Sequence, residues 1–218
     1  AEVAYSSVSS RWRFPDFWYS QQWSVPNTSY TLQLIMIDTV LACGNVLDTE
    51  YCQYEGIEPA DCYLSPLGPE DVARADEQWQ WIERELNAST ASFLVVGGHY
   101  PVWSVAEHGP TKCLVDKLRP MLIEYNATLL MTGHDHTFEY IQETEYPNLG
   151  YVGTGGTHQC DPSTKHMKDI PADSLKFHDC NDGGFTAVHV DKNGLKVSYY
   201  FGNDTRAYYE TKTFQPRM

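Results

Sequence analysis

Two short apolar runs in this chain end in the same way. Residues 93–96 lead into Gly97-Gly98-His99, and residues 128–131 lead into Gly133-His134-Asp135-His136. Each run is strand-length and continuous in apolar or β-branched residues, the pattern of a strand covered on both faces. A helical stretch separates them, so they read as neighbours in a strand–helix–strand unit. In such sheets ligands gather just beyond the carboxyl ends of the strands. Glycine there lets the backbone turn sharply and lets a metal or anion approach closely. His134 and His136, one residue apart, suit an extended turn that aims them at two adjacent metal ions, with His99 joining from the neighbouring strand. On spacing alone, one zinc ion held by these three histidines is an equal reading.

The remaining pattern supplies a frame for those strand ends. Residues 31–40 read as a buried strand ending near Asp38, which caps a turn. Residues 43–68 are rich in Gly, Pro, Asp and Glu and form a long surface loop, pinched by Cys52 and Cys62. Gly68-Pro69-Glu70-Asp71 signals a helix start, followed by an inward stripe of Val72, Ala75, Trp79, Ile82 and Leu86. A second helix over 112–125 turns Leu114, Leu118, Met121, Leu122 and Tyr125 inward, with Pro120 kinking or splitting it. Beyond residue 136 come strands at 138–141, 151–154, 185–190 and 195–201. The chain therefore reads as α/β, with stacked sheets flanked by helices and no linker dividing it. Trp12, Trp18 and Trp23 are expected in the core. His158, His166, His178 and His189 lack a glycine-framed strand end and read as surface or strand residues.

Charge and cysteine usage narrow the function classes. With 29 acidic and 15 basic residues the formal charge is −14, which repels nucleic acid and anionic membranes. A phosphate site is still compatible with that surface, because a local cation reverses the field. No apolar run approaches the roughly 20 residues of a membrane span. The six cysteines form no CxxC pair, so zinc-ribbon and thioredoxin readings fail, and an even count fits three disulfides. The sequons at Asn27, Asn87, Asn126 and Asn203 exceed the single one expected by chance from 8 asparagines. Together they place the chain in an extracellular, secretory-lumenal or lysosomal compartment, carrying N-linked glycans.

The stretch GHYPVWSVAEHGPTKCLVDKLRPML, residues 98–122, together with GHDH at 133–136, resembles the small purple acid phosphatases of the tartrate-resistant type. Further matches are Ser10-Arg11-Trp12, Phe14-Pro15, Ile37-Asp38-Thr39-Val40, Cys43-Gly44-Asn45, Asp161-Pro162-Ser163 and Gly183-Gly184-Phe185. GHDH alone is shared by many metallophosphoesterases, whereas the longer stretch is highly specific. The resemblance implies a metallophosphoesterase αββα sandwich, two stacked mixed sheets flanked by helices, of which residues 1–218 are the carboxyl-terminal part. It also makes the 43–68 loop overhang the site.

By the same resemblance, His99 and His134 bind a divalent metal and His136 a ferric ion, in a dinuclear Fe(III) centre with Fe(II), Zn(II) or Mn(II). His108 contacts the substrate phosphate and assists the leaving group, and Glu107 positions it. Asp135 orients a histidine or shapes the turn. The implied activity is an acid phosphatase that cleaves small phosphate monoesters by attack of metal-bound hydroxide. The family's other ligands come from DxG, GDxxY and GNHD motifs, which in the family precede the segment that begins here near Arg11-Trp12. GDxxY and GNHD are absent from this sequence. The expectation is a chain holding one half of the site, with the amino-terminal half of the domain as its partner, because three neutral imidazoles do not balance the charge of a di-iron pair. The resemblance further implies a Cys43–Cys113 disulfide and leaves Cys52–Cys62 and Cys160–Cys180 as local pairs. The rival reading is a catalytically silent, phosphatase-like secreted glycoprotein with a structural or recognition role.

Overall fold

The computed structural model describes residues 2–45, 68–157, 160–180, 183–202 and 208–217. The 43–68 loop lies mostly outside these residues, as do Cys52, Cys62, His158 and Asn203. A short helix α1 (Glu2–Tyr5) precedes β1 (Tyr19–Ser24), β2 (Thr31–Met36) and α2 (Thr39–Cys43). Then come α3 (Val72–Ala88), β3 (Phe93–Gly97), α4 (Lys112–Asp116), α5 (Leu118–Glu124) and β4 (Leu129–Thr132). The last part holds β5 (Phe138–Ile141), β6 (Gly150–Thr154), β7 (Leu175–Asp179), β8 (Gly184–Asp191), β9 (Gly194–Phe201) and β10 (Tyr209–Glu210).

A seven-stranded sheet runs in the order β1-β2-β3-β4-β6-β5-β7, and a three-stranded sheet in the order β10-β9-β8. Strands β2, β3, β4 and β6 are parallel, β1 and β5 run against their neighbours, and the smaller sheet is antiparallel. The two-residue alternation of a strand sorts the side chains into two layers. Phe93, Val95, Leu129, Phe138, Tyr140 and Val152 meet Leu195, Val197, Tyr199 and Phe201 of the smaller sheet. Leu94, Val96, Leu130, Ile141 and Tyr151 point the other way, against Trp79, Ile82 and Leu86 of α3 and Leu114, Leu118 and Leu122 of α4 and α5. Strand β3 is buried throughout because both of its faces are covered. The architecture is mixed α/β, with the larger sheet between helices and the smaller sheet.

Several local details differ from the sequence pattern. The strand at 31–40 stops at Met36, and Asp38 caps α2 by accepting from the Leu41 N–H. Gln78 of α3 fixes that corner, accepting from the Asp38 N–H at 2.8 Å and donating to the Asp38 carbonyl at 2.9 Å. Helix α3 begins after Asp71, its N-cap, so Pro69 stands outside it and Val72 is exposed at the first turn. The 112–125 helix divides at Lys117, which puts Pro120 in the first turn of α5, where its missing N–H breaks no helical bond. Trp12 and Trp18 precede β1 and are exposed and half-buried respectively, and Trp23 is exposed because β1 is an edge strand with Ser and Gln at its centre. Disulfides join Cys43 to Cys113, tying α2 to α4, and Cys160 to Cys180.

Candidate functional site

The candidate site forms where β3 and β4 end side by side. Their parallel register pairs Gly97 with Met131, so Gly98-His99 and Gly133-His134 emerge at the same edge. Two bonds carry the pairing past the strands: Gly98 N–H donates to the Met131 carbonyl and Gly133 N–H to the His99 carbonyl, both at 3.1 Å. A Cβ on Gly98 would lie 2.8 Å from the Thr39 methyl, so only glycine lets the chain pass α2 here. His134 itself takes a left-handed backbone, φ 68°, which turns its ring back towards His99.

His134 Nδ1 and His99 Nε2 stand 3.2 Å apart. His108 stacks on His134 with ring centroids at 4.2 Å, and Tyr100 packs against His134 at 4.6 Å. Burial lowers the His99 pKa, with nearby His108 and His136 adding to the effect. Burial also depresses His134, to about 3, reinforced by His108, His99 and His136. The His134 ring is therefore neutral in mild acid. His136 is exposed and close enough to act on the other two electrostatically, but it does not complete a cluster. Among the described residues, no group of three or more His, Cys, Asp or Glu side chains is gathered closely enough to hold a metal ion.

The loop that carries His108 is held from several sides. The His108 N–H donates to Asp135 Oδ1 at 2.9 Å, and Asp135 is buried. The Glu107 N–H donates to Asp161 Oδ2 at 3.0 Å, while the partly exposed Glu107 carboxylate pairs with Lys165. The Val105 N–H donates to Glu139 Oε2 at 3.1 Å. Burial pushes the Glu139 carboxyl up to about 8, against the bonds from Val105 and Ser104, so it is mostly protonated at neutral pH. A cleft of about 430 Å³ opens beside His108, lined also by Trp103, Lys112, His166 and Asp169. His166, read from the sequence as a surface residue, is half-buried there, its Nδ1 2.8 Å from Asp169 Oδ2. Nothing local marks it, since no glycine or strand end frames it. His178 is half-buried on β7 and His189 is exposed on β8.

These donors fit part of a metal site. His134 Nε2 and His108 Nδ1 are buried without a partner, which leaves nitrogen lone pairs or N–H groups unused. Among the described residues the cluster brings two imidazoles, His99 and His134, within 3.2 Å and adds no carboxylate set that could hold a metal with them.

No protein-family model matches the chain. The tartrate-resistant acid phosphatase type 5 of Rattus norvegicus is 37% identical over 204 residues, which cover 91% of this chain and 58% of that protein. Among solved structures, GAP50, described as the anchor in the inner membrane complex of Plasmodium, aligns with a TM-score of 0.69 at 17% identity, covering 95% of this chain and 57% of that one. The purple acid phosphatase PPD1 from yellow lupin (Lupinus luteus) aligns with a TM-score of 0.56 at 16% identity, covering 89% of this chain and 32% of that one. At those identities the two structures speak for the fold alone. The chain spans less than two thirds of the rat enzyme's length. Over those 204 residues the chain is similar in sequence to the tartrate-resistant acid phosphatase type 5 of rat, and it corresponds to just over half of that protein.

Proposed function

We propose that the chain is the histidine-bearing part of a phosphatase that hydrolyses small phosphate monoesters in an acidic compartment. The observation that carries this reading is the convergence of His99, His134 and His108 at adjacent parallel strand ends. His99, His134 and His136 are the proposed donors to a dinuclear Fe(III) centre with Fe(II), Zn(II) or Mn(II), whose anionic ligands come from residues outside this set. When bound, such a pair acidifies a water for attack on phosphorus and neutralises charge on the phosphate. The chain's own residues do the rest. Burial favours the neutral form of both His99 and His134, and His134 stays neutral in mild acid and so keeps a lone pair for ligation. His108, stacked on His134 and held through its amide by Asp135, binds the phosphate and passes a proton to the departing alkoxide. Glu107, paired with Lys165, helps to set the loop.

A secretory or lysosomal setting suits two disulfides and the exposed sequon residues Asn27, Asn87 and Asn126 as glycan carriers. Among the described residues no helix is long and apolar enough to cross a membrane.

The test is hydrolysis of a simple aryl phosphate at acid pH by the complete polypeptide, before and after His134→Ala. The variant is expected to lose activity by more than about 100-fold, and equal rates in the two proteins overturn the reading. A second reading, a catalytically silent recognition glycoprotein, is favoured by the exposed Tyr5, Trp12, Phe17 and Trp23 along the amino-terminal edge. Complete protein that folds without stoichiometric metal selects this alternative.

A further inference from the structure

One segment touches both sides of the candidate site. Residues 160–169 are tied by Cys160–Cys180 to the end of β7. Within them, Asp161 makes three bonds at once. Its N–H donates to the His136 carbonyl at 2.9 Å. Its Oδ2 accepts from the Glu107 N–H at 3.0 Å, and its Oδ1 accepts from the Ser163 N–H at 2.8 Å. Further along, the His166 N–H donates to the Val105 carbonyl at 3.1 Å. The His166 ring lies against Gly109, where φ is 66° and a Cβ would sit 2.5 Å from the ring. The loop from Val105 to Gly109 is thus strapped to the turn that carries His136.

The amides of Glu107 and His108 are consecutive, and each is held by a different carboxylate, Asp161 for the first and Asp135 for the second. Bonds to an ionised carboxylate are roughly twice as strong as neutral ones. Asp135 belongs to the same turn as His134 and His136. Two carboxylates therefore fix the His108 loop against the histidine turn, one from inside the turn and one from the strap. The Ser163 bond folds the Asp161 side chain into a local turn and fixes the direction in which Oδ2 points.

We propose that Asp161 is a positioning residue: it sets the spacing between the His108 loop and the His136 turn without touching substrate. The proposal rests on the reading of His108 as proton donor. A proton donor must stand within hydrogen-bond reach of the leaving oxygen, and a misplacement of about 1 Å costs on the order of 100-fold. Asp161-Pro162-Ser163 also gains a physical purpose here, as a hinge pin for the strap.

The experiment uses the complete polypeptide with an aryl phosphate at acid pH, and compares Asp161→Ser and Asp161→Asn with the parent. Serine keeps a local turn to the Ser163 amide but loses reach to Glu107, whereas asparagine has one carbonyl oxygen for the two amides and serves only one of them at a time. Asp161→Ser is expected to lower kcat by about 10-fold to 100-fold, with KM within about three-fold and metal content unchanged. Asp161→Asn, with one acceptor for two amides, falls between the serine variant and the parent. In the serine variant the Glu107 amide exchanges with solvent faster than in the parent. Unchanged kcat in Asp161→Ser, or a loss that follows metal content, overturns the proposal. If the parent hydrolyses no ester, the functional reading fails by itself, and the Glu107 amide decides the strap: parental exchange in Asp161→Ser refutes it. If Asp161→Ser does not fold, the same measurements on Asp161→Thr decide in its place.

Discussion

Glu139 is a buried carboxyl whose ionisation should be visible in stability. It is fully enclosed on β5, its Oε2 accepts the Val105 N–H, and burial raises its pKa to about 8 from an ordinary 4.5. Gly153 opposite makes the room, since a Cβ there would meet Glu139 Cγ at 2.5 Å. A folded-state pKa above the unfolded value gives stability that is complete below pH 4.5 and is lost as pH rises towards 8. Integrating between those values, the penalty at pH 5 is under about 1 kcal/mol, and at pH 7 about 3 kcal/mol. Glu139→Gln keeps an acceptor for Val105 but cannot ionise. Relative to the parent it should gain about 2 kcal/mol between pH 5 and pH 7, or roughly 4–8 °C in Tm for a chain of this size. The measurement is thermal unfolding of both proteins across that range. Using the difference removes the opposite trend from His99 and His134, whose depressed pKa values cost stability as pH falls below 6.5. Parallel Tm curves for the two proteins would refute the claim that this carboxyl is held neutral by burial.

Two further substitutions probe the frame around the site. Arg119 grips Glu143 with two bonds, at 2.8 Å and 2.5 Å, while Trp103 and Tyr151 also donate to that buried carboxylate. Burial works against ionisation there, but Arg119, Trp103 and Tyr151 outweigh it and hold the carboxyl below its usual range. Arg119→Ala strands the charge and should cost about 3–5 kcal/mol in denaturant unfolding at pH 7, a loss that shrinks in acid as Glu143 protonates. Cys43–Cys113 closes a separation of 70 residues and anchors α4 directly after the His108 loop. Replacing both cysteines with alanine should lower stability by about 4 kcal/mol in the chain-entropy account, and an unchanged unfolding midpoint would contradict it.

Much of this arrangement was legible before any coordinates. The runs at 93–96 and 128–131 are buried on both faces, and residues with that demand have few places other than the middle of a covered sheet. Ala75, Trp79, Ile82 and Leu86 recur at helical spacing and all face the core. Strand β1 escaped notice because its centre is Ser-Gln-Gln, with no alternation to see. Trp23 misled for a related reason: a large aromatic side chain suggests a core, but an edge strand has nothing to cover its outer positions. His166 has no local signature and Asp161 stood out only within a matched Asp-Pro-Ser triplet of no evident purpose, because their contacts arise from loops that meet only after the chain folds.

The sequence by itself determined the periods, the strand ends and the glycines that make those ends tight. These are local demands, set by burial of neighbouring side chains and by the backbone angles that glycine permits. Only the tertiary structure decided that His108 lies on His134, that Asp135 and Asp161 hold consecutive amides, and that Glu139 is sealed from water. Those contacts join residues 26 to 54 positions apart, and no local pattern encodes a partner so distant. Strand register and loop closure bring such groups together, and both come from packing of the whole fold.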